Sequence, residues 1–436
     1  MNQPDAGEAG VAPGRGLGNR VLLLLLLAYV FNFVDRQIIG VLAVPIKAEL
    51  GLSDRQLGLM GGVAFALFYS TLALPIAWLA DRKSRIAIIS ASVAVWSLFT
   101  ALCGLAQNFW QLFAARMGVG IGEAGGVAPS YSLISDYFPP SRRARALAFF
   151  SLGIPLGSAL GIFFGGWIAS SIDWRTAFIV VGLAGLPAAL LLKLFVPEPK
   201  RGATDAVMAD DAPPFAEVAA TLARNPSFWL LSFGAASGSI LGYGLIFWLP
   251  ALFTRSFGLS LGDIGWFYGS IVLVGGMLGT WLGGVVGDRF GKDRPAAYAL
   301  IPAICFLIAA PAYAAGLFAP SLTAAWLLFV IPQMLGLAWL GPVLSAVQLL
   351  VPASMRATAS AAFLLINNFI GIGFGVWVFG EMSTRMTAAY GTEALRYSVL
   401  YGLGFYALSA IFYLFAARRL ARDFHAPAAR PNDSAT

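Results

Sequence analysis

Four ionisable side chains stand inside otherwise apolar runs of this sequence. Asp35 and Arg36 lie in Phe31-Asn32-Phe33-Val34-Asp35-Arg36-Gln37, and Arg116 and Glu123 lie in Arg116-Met117-Gly118-Val119-Gly120-Ile121-Gly122-Glu123. A carboxylate can carry a proton, and a guanidinium can hold an anion through two parallel N–H donors. Arg116 and Glu123 are seven residues apart, which is two helical turns, so they share a helix face but are separated by about 10 Å along the axis and cannot pair with each other. Each needs a partner from another element. A cross-helix network of two acids and two arginines, neutral overall, is the economical arrangement. The only histidine, His425, lies in a polar C-terminal stretch, so a proton carried through the apolar region must ride on Asp35 or Glu123. Burial raises a carboxylate pKa and an adjacent arginine lowers it. A carboxylate whose arginine leaves when a ligand binds can therefore take up a proton near neutral pH.

The elements that position these groups follow from composition. Of 436 residues 59% are hydrophobic and 11% are charged, with a mean hydropathy of +0.78, whereas soluble domains carry about 25% charged residues. This is the composition of a polytopic membrane protein, all-α, with little room for a separate soluble domain. Hydropathy predicts twelve helices, near 21–46, 56–80, 86–106, 109–134, 145–169, 175–196, 228–253, 263–287, 296–317, 323–350, 357–381 and 396–417. They are called helices 1 to 12 below. The first is read as uncleaved, because its apolar run continues past Asp35 and Arg36 without a small-residue cleavage pattern. The stretch 197–227, rich in Pro, Ala and Asp, reads as a linker between a first bundle (21–196) and a second (228–417), with polar tails at 1–20 and 418–436. An ionisable group at membrane depth costs roughly 2.5–3.5 kcal/mol on insertion scales, so the four charges above are functional candidates.

With the N-terminus in the cytoplasm, about 20 of the Lys and Arg residues fall on that side and about six on the other, as the positive-inside rule requires. Both termini are then cytoplasmic. The net charge of +7 reports this topology, not an affinity for nucleic acid. Cys103 and Cys305 sit in separate apolar runs and read as small packing residues. The sequence shows no metal-ligand cluster, phosphate-binding loop, nucleophile paired with a base, or periodic pore ring. An enzyme, a cofactor and a channel all lack support.

An internal repeat supports two halves. The turn after helix 2 reads Ala77-Trp78-Leu79-Ala80-Asp81-Arg82-Lys83-Ser84-Arg85, and the turn after helix 8 reads Gly284-Val285-Val286-Gly287-Asp288-Arg289-Phe290-Gly291-Lys292, the two aspartates lying 207 positions apart. Six intervening helices, an even number, give both halves the same orientation. Asp81, Arg82, Arg85, Asp288, Arg289 and Lys292 have the chemistry of a cytoplasmic latch, the aspartates capping or pairing and the basic residues answering them. The second half carries aromatic and amide side chains in place of deep charges: Tyr243, Phe247 and Trp248 in helix 7, Trp339 in helix 10, Asn367 and Asn368 in helix 11. A charged half facing an aromatic one makes an amphipathic cavity, which suits a ligand with an anionic head and an apolar tail. A merely structural charge cluster should be needed in both halves, yet helices 7 to 12 have no charge at comparable depth.

In the repeated turn, the helix count and the central linker, the whole chain resembles the major facilitator superfamily, although Ala77 and Ser84 stand where that motif usually has glycine. Asn32-Phe33-Val34-Asp35-Arg36, Gly122-Glu123-Ala124 and Ile154-Pro155-Leu156-Gly157-Ser158-Ala159-Leu160-Gly161 together resemble its spinster-type branch. The resemblance implies an alternating-access transporter in a bacterial inner membrane, monomeric, exporting a lysophospholipid or sphingosine phosphate in exchange for protons. Asp35 and Glu123 would carry the proton, and Arg36 and Arg116, with Asn32 nearby, would hold the headgroup. Helix 5 partly resembles an antiporter motif, with its proline ahead of Gly157. A symporter of small organic anions from the same superfamily is the alternative, and its hydrophilic substrates fit the aromatic second half less well.

Overall fold

The structure, a computed structural model, describes residues 15–201, 215–291 and 294–424. Helix 1 is Arg15–Val41 continued by Ala43–Leu50. Helix 2 is Asp54–Gly58, a π-turn Leu59–Val63 and Ala64–Ala80. Helices 3 and 6 are the unbroken Arg85–Cys103 and Trp174–Phe195. Helix 4 is Phe109–Glu123 and Val127–Tyr137, and helix 5 is Pro140–Ser151 and Gly153–Ser171. A short helix in the linker, Phe215–Ala223, precedes helix 7 (Pro226–Phe257), helix 8 (Leu261–Gly291) and helix 9 (Ala297–Leu317). Helix 10 is Leu322–Leu335 with Leu340–Leu349, helix 11 is Arg356–Tyr390, and helix 12 is Ala394–Gly402 with Gly404–Asp423.

Ten helical stretches among the described residues are long and apolar enough to cross a membrane. One of them, Thr358–Asp423, takes in helices 11 and 12, and helix 4, with Arg116, Glu123 and a break at 124–126, is not among the ten. Helix starts follow from caps written in the sequence. The side chains of Asn108, Asp173 and Ser321 accept from the backbone N–H three residues on, at 3.0, 2.6 and 3.2 Å, and Ser53 with Gln56 completes a capping box.

The chain packs as two compact units that cut across the sequence halves. The first takes the residues up to the linker together with Tyr243–Val274 and Ile372–Tyr401; the second takes the remaining parts of helices 7 to 12 and the linker helix. In the first unit glycines let helices touch backbone to backbone. A Cβ on Gly157 would collide with the Val30 carbonyl, and one on Gly161 would stand 2.8 Å from Val34 Cα, so helix 5 lies directly on helix 1. Gly58 meets Trp377 and Gly62 meets the Gly373 carbonyl in the same way, each at 2.9 Å. Cys103 and Cys305 are buried free thiols.

The repeated turn is built within the first unit as a clasp on the linker. Arg85, 1% exposed, donates to Glu198 Oε1 at 2.8 Å, to Ser132 Oγ at 3.0 Å and to Asp136. Glu198 also accepts from Ser84 Oγ at 2.8 Å and from the Ile86 N–H at 3.1 Å. Ser84 holds a glycine's usual position because it caps helix 3, with φ −58° and its hydroxyl accepting from Ala87; no positive φ is needed. Asp81 is exposed, and Arg82 lies over the Trp78 ring at 3.9 Å. In the second copy Arg289 is exposed. The Asp288 side chain and Lys292 lie outside the described residues, as does His425.

Two outcomes are expected. Gly157→Leu should lower thermal stability, by about 1–3 kcal/mol, as overpacking of a close contact does; melting of the purified protein measures it, and an unchanged Tm would separate the glycine from helix packing. Burial pushes the Glu198 carboxyl up, but the hydrogen bonds from Arg85, Ile86 and Ser84 outweigh it and hold the group below its ordinary 4.5. Its ionised form is therefore favoured in the folded state, and the clasp contributes fully above pH 4.5 and is lost as pH falls through the lower folded value. Glu198→Gln should melt below the unaltered protein at pH 7, and the gap should narrow as the pH falls below 4.5.

Candidate functional site

Helices 1 and 4 bring the four deep charges together inside the first unit. Asp35, Arg116 and Glu123 are 1%, 2% and 0% exposed. Arg36 Nε donates to Glu123 Oε2 at 2.6 Å, a charge-assisted contact between helices 87 residues apart in sequence. The guanidinium of Arg36 is boxed by three rings, at 5.1 Å from Phe33, 4.9 Å from Phe65 and 4.6 Å from Tyr69, and Arg116 approaches the same Phe65 at 5.6 Å. Cation–π attraction of this kind strengthens where water is excluded.

The glycines between Arg116 and Glu123 seal this region. A Cβ on Gly120 would stand 2.5 Å from the Phe65 carbonyl, and one on Gly122 would stand 2.5 Å from the Trp96 amide nitrogen. Helices 2 and 3 therefore close directly onto helix 4 beside the charges. The expected network is only partly joined. One arginine–carboxylate pair forms, while among the described residues Asp35 Oδ1 and Nε and Nη1 of Arg116 are buried without a hydrogen-bond partner. Buried polar atoms left this way cost free energy and stand ready for water or a ligand. A small cavity lined by Tyr29, Asn32, Trp96 and Ser130 adjoins them.

The remaining sequence-derived candidates separate. Phe247 sits against Gly40 and Gly61 of helices 1 and 2, and Trp248, fully buried, donates its indole N–H to the Val376 carbonyl at 2.8 Å. Both pack the first unit. Tyr243 belongs to the same unit and lies within electrostatic reach of Arg36. Trp339, Asn367 and Asn368 belong to the second unit, where Asn367 accepts from Ser239 Oγ at 2.8 Å and donates to Asn368 at 3.2 Å.

A second charged centre escaped the sequence reading. Asp54, 4% exposed at the start of helix 2, accepts from Arg255 Nη1 and Nη2 at 2.6 and 2.8 Å, from Lys47 Nζ at 2.8 Å and from Ser383 Oγ at 2.7 Å. The close approach of Gly380 to the Asp54 backbone brings helix 11 into this cluster, and Arg55 pairs with Glu381 at 3.2 Å alongside. Four chain segments thus converge on one carboxylate at the end of the first unit remote from the linker. The one local signal was the Ser53-x-x-Gln56 capping box, which marks Asp54 as a first-turn residue without naming its partners.

Removing one member of such a buried pair costs about 3–5 kcal/mol, because the other charge is left unpaired. Asp54→Asn should widen the distance distribution between spin labels at the exposed positions Gln107 and Tyr390 at this end of the unit; an unchanged distribution would mean that backbone packing alone holds the helices.

Comparison with known proteins agrees with this architecture. Residues 25–376 match the family model for the Major Facilitator Superfamily. The chain is 34% identical to an MFS-type efflux pump of Mycolicibacterium smegmatis over 92% of both chains. It is 30% identical to human protein spinster homolog 1, over 86% of this chain and 75% of that one. A crystal structure of a bacterial homolog of the human lysosomal transporter spinster, inward-facing and unoccupied, superposes with a TM-score of 0.86 at 34% identity, covering 95% of this chain and all of that one. The same homolog in an occupied inward-facing state gives 0.84. Together with the all-helical, membrane-spanning fold, these similarities identify the chain as a member of the major facilitator superfamily, a secondary transporter of the spinster type.

Proposed function

We propose that this transporter exchanges protons for an amphipathic lipid with a phosphate-bearing headgroup, a lysophospholipid or sphingosine phosphate, and exports it. The observation that carries this reading is the part-buried Arg36–Glu123 pair, ringed by Phe33, Phe65 and Tyr69 and flanked by the unpartnered polar atoms of Asp35 and Arg116. Two arginines supply donors in the fork geometry that suits a phosphate. The aromatic rings beside them, with Tyr243, offer an apolar wall for the start of an alkyl chain. Trp339, Asn367 and Asn368 are assigned to the substrate on sequence grounds.

The two carboxylates set the sign of coupling. If the headgroup only drew Arg36 away from Glu123, the freed carboxylate would take up a proton, and lipid and proton would bind together. A headgroup that also carries an ammonium does the opposite, because the ammonium and the proton compete for Asp35. Proton-loaded and lipid-loaded states then exclude one another, which is the condition for exchange. The neutral set of two acids and two arginines complements a zwitterionic headgroup of this kind.

In this reading all twelve helices span the membrane, with both termini in the cytoplasm of a bacterial cell, and the protein works as a monomer. The Asp54 cluster closes the extracytoplasmic side. Asp81, Arg82, Arg85, Asp288, Arg289 and Lys292 serve the cytoplasmic gate.

The test uses proteoliposomes, a pH gradient and a labelled lysophosphatidylethanolamine, with binding measured in parallel without a gradient. Asp35→Asn, which imitates the protonated carboxyl, should abolish gradient-driven transport and weaken lipid binding, leaving a residual affinity that no longer varies with pH, and Glu123→Gln should also impair coupling. Arg36→Ala should weaken binding roughly 10- to 150-fold, the equivalent of losing a charge-assisted hydrogen bond of about 1.5–3 kcal/mol, and Arg36→Lys should restore only part of it. Transport by both carboxylate variants at the unaltered rate and pH dependence would remove the protons from the mechanism, and preference for a small carboxylate over the lysolipid would favour the organic-anion symporter.

A further inference from the structure

The second unit carries a cleft of about 530 Å³ at the end where the linker helix, the start of helix 7 and the last turns of helix 12 meet, lined by Arg224, Trp229, Leu230, Phe415 and Arg419. Its walls are fixed by specific contacts. Val218 and Leu222, one turn apart on the linker helix, are buried. Asn225 caps helix 7 by accepting from the Phe228 N–H at 3.2 Å. The Trp229 indole N–H donates to the Ala223 carbonyl at 3.2 Å, and Ser227 Oγ donates to Asp423 at 2.5 Å, tying helix 7 both to the linker helix and to helix 12.

Two features of this cleft ask for the same occupant. The first is charge: Arg224 and Arg419 are exposed, and among the described residues no carboxylate lies within 4.0 Å of either guanidinium. The second is the apolar surface beside them. Trp229, Phe233 and Phe415 are 37%, 40% and 51% exposed, and the Trp229 and Phe233 rings stack with centroids 5.7 Å apart. Helix 7 begins here and helix 12 ends here, so the arginines stand where two membrane helices leave the apolar layer and the aromatic rings stand further in. A phosphodiester with acyl chains matches this order from lip to wall. A free phosphate would use the lip alone.

We propose that this cleft binds an anionic phospholipid of the surrounding bilayer, its phosphate held by Arg224 and Arg419 and its acyl chains lying against Trp229 and Phe415. This lipid is a bound companion and not the transported one, so the proposal is independent of the substrate reading and rests only on helices 7 and 12 spanning the membrane. Basic pockets between membrane helices at the headgroup level recognise anionic lipids by this chemistry.

Native mass spectrometry of the purified transporter, exposed to equimolar phosphatidylglycerol and phosphatidylcholine in mixed micelles, tests it. The unaltered protein should retain phosphatidylglycerol preferentially, and each arginine removed should cost roughly fivefold in retention, so R419Q should weaken it and R224Q/R419Q should abolish the preference. Glycerol phosphate in excess should not displace the lipid. The control R142Q/R145Q, which removes two basic residues elsewhere, should leave the preference intact. Equal retention of the two lipids by the unaltered protein would overturn the proposal, as would undiminished phosphatidylglycerol retention in R419Q and the double variant, or an equal loss in the control.

Discussion

The fully buried Glu123 carboxylate finds its counter-charge in Arg36 on another helix, and that 2.6 Å contact is the constraint around which the first unit is arranged. Helix 4 has to approach helix 1 closely enough for the pair to form, and the neighbouring helices have to close over it. Gly120 and Gly122 allow the second requirement, since a side chain at either would strike the backbone of Phe65 or Trp96. Gly157 and Gly161 do the same on the other side, seating helix 5 against helix 1. The glycine-rich character of helices 4 and 5 is thus a consequence of placing charges at depth as much as of helix packing in general.

The set is balanced in charge but not in hydrogen bonds. With Arg36 committed to one oxygen of Glu123, Asp35 and Arg116 retain buried polar atoms without partners. A network satisfied in every member would be rigid; one that keeps open donors and acceptors can rearrange when a proton or a headgroup arrives. The two ends of the same unit show the contrast. Asp54 has four hydrogen bonds to three residues besides its own helix, and Arg85 binds Glu198, Asp136, Ser132 and the Pro199 carbonyl. Fully engaged clasps stand at the ends, and the under-satisfied charges stand between them.

Much of this was legible in the sequence, for identifiable reasons. Asp35, Arg36, Arg116 and Glu123 stood out because a charge within a long apolar run is costly to bury, and the seven-residue spacing of the last two already required partners from another helix. The family resemblance rested in part on Asp35, Arg36 and Glu123, with the helix 5 run from Ile154 to Gly161 and the repeated turn beside them. Asp54 and Arg255 did not stand out, because each lies at a helix end where charges are ordinary, and 201 residues separate them. The aromatic box was half-visible, Phe65 and Tyr69 being one turn apart, but nothing local says which cation they face. The helical breaks at 124–126 and 336–339 escaped a hydropathy profile, which averages over them. The sequence halves likewise differ from the packing units, because the far ends of helices 7 and 11 carry Phe247, Val376 and Gly380, residues fitted to helices 1 and 2, with Trp248 holding helix 7 to helix 11.

In the proposed exchange, a bound proton and a bound zwitterionic headgroup exclude one another at the Asp35 and Arg36 site. The most direct measurement is the proton exchanged when lysophosphatidylethanolamine binds to the purified transporter in weakly buffered solution, read by a pH indicator beside a calorimetric titration of the binding itself. About one proton should be released per lipid bound at a pH where the empty site is protonated, and none by Asp35→Asn. Proton uptake on binding, or binding with no proton exchanged at any pH, would contradict it.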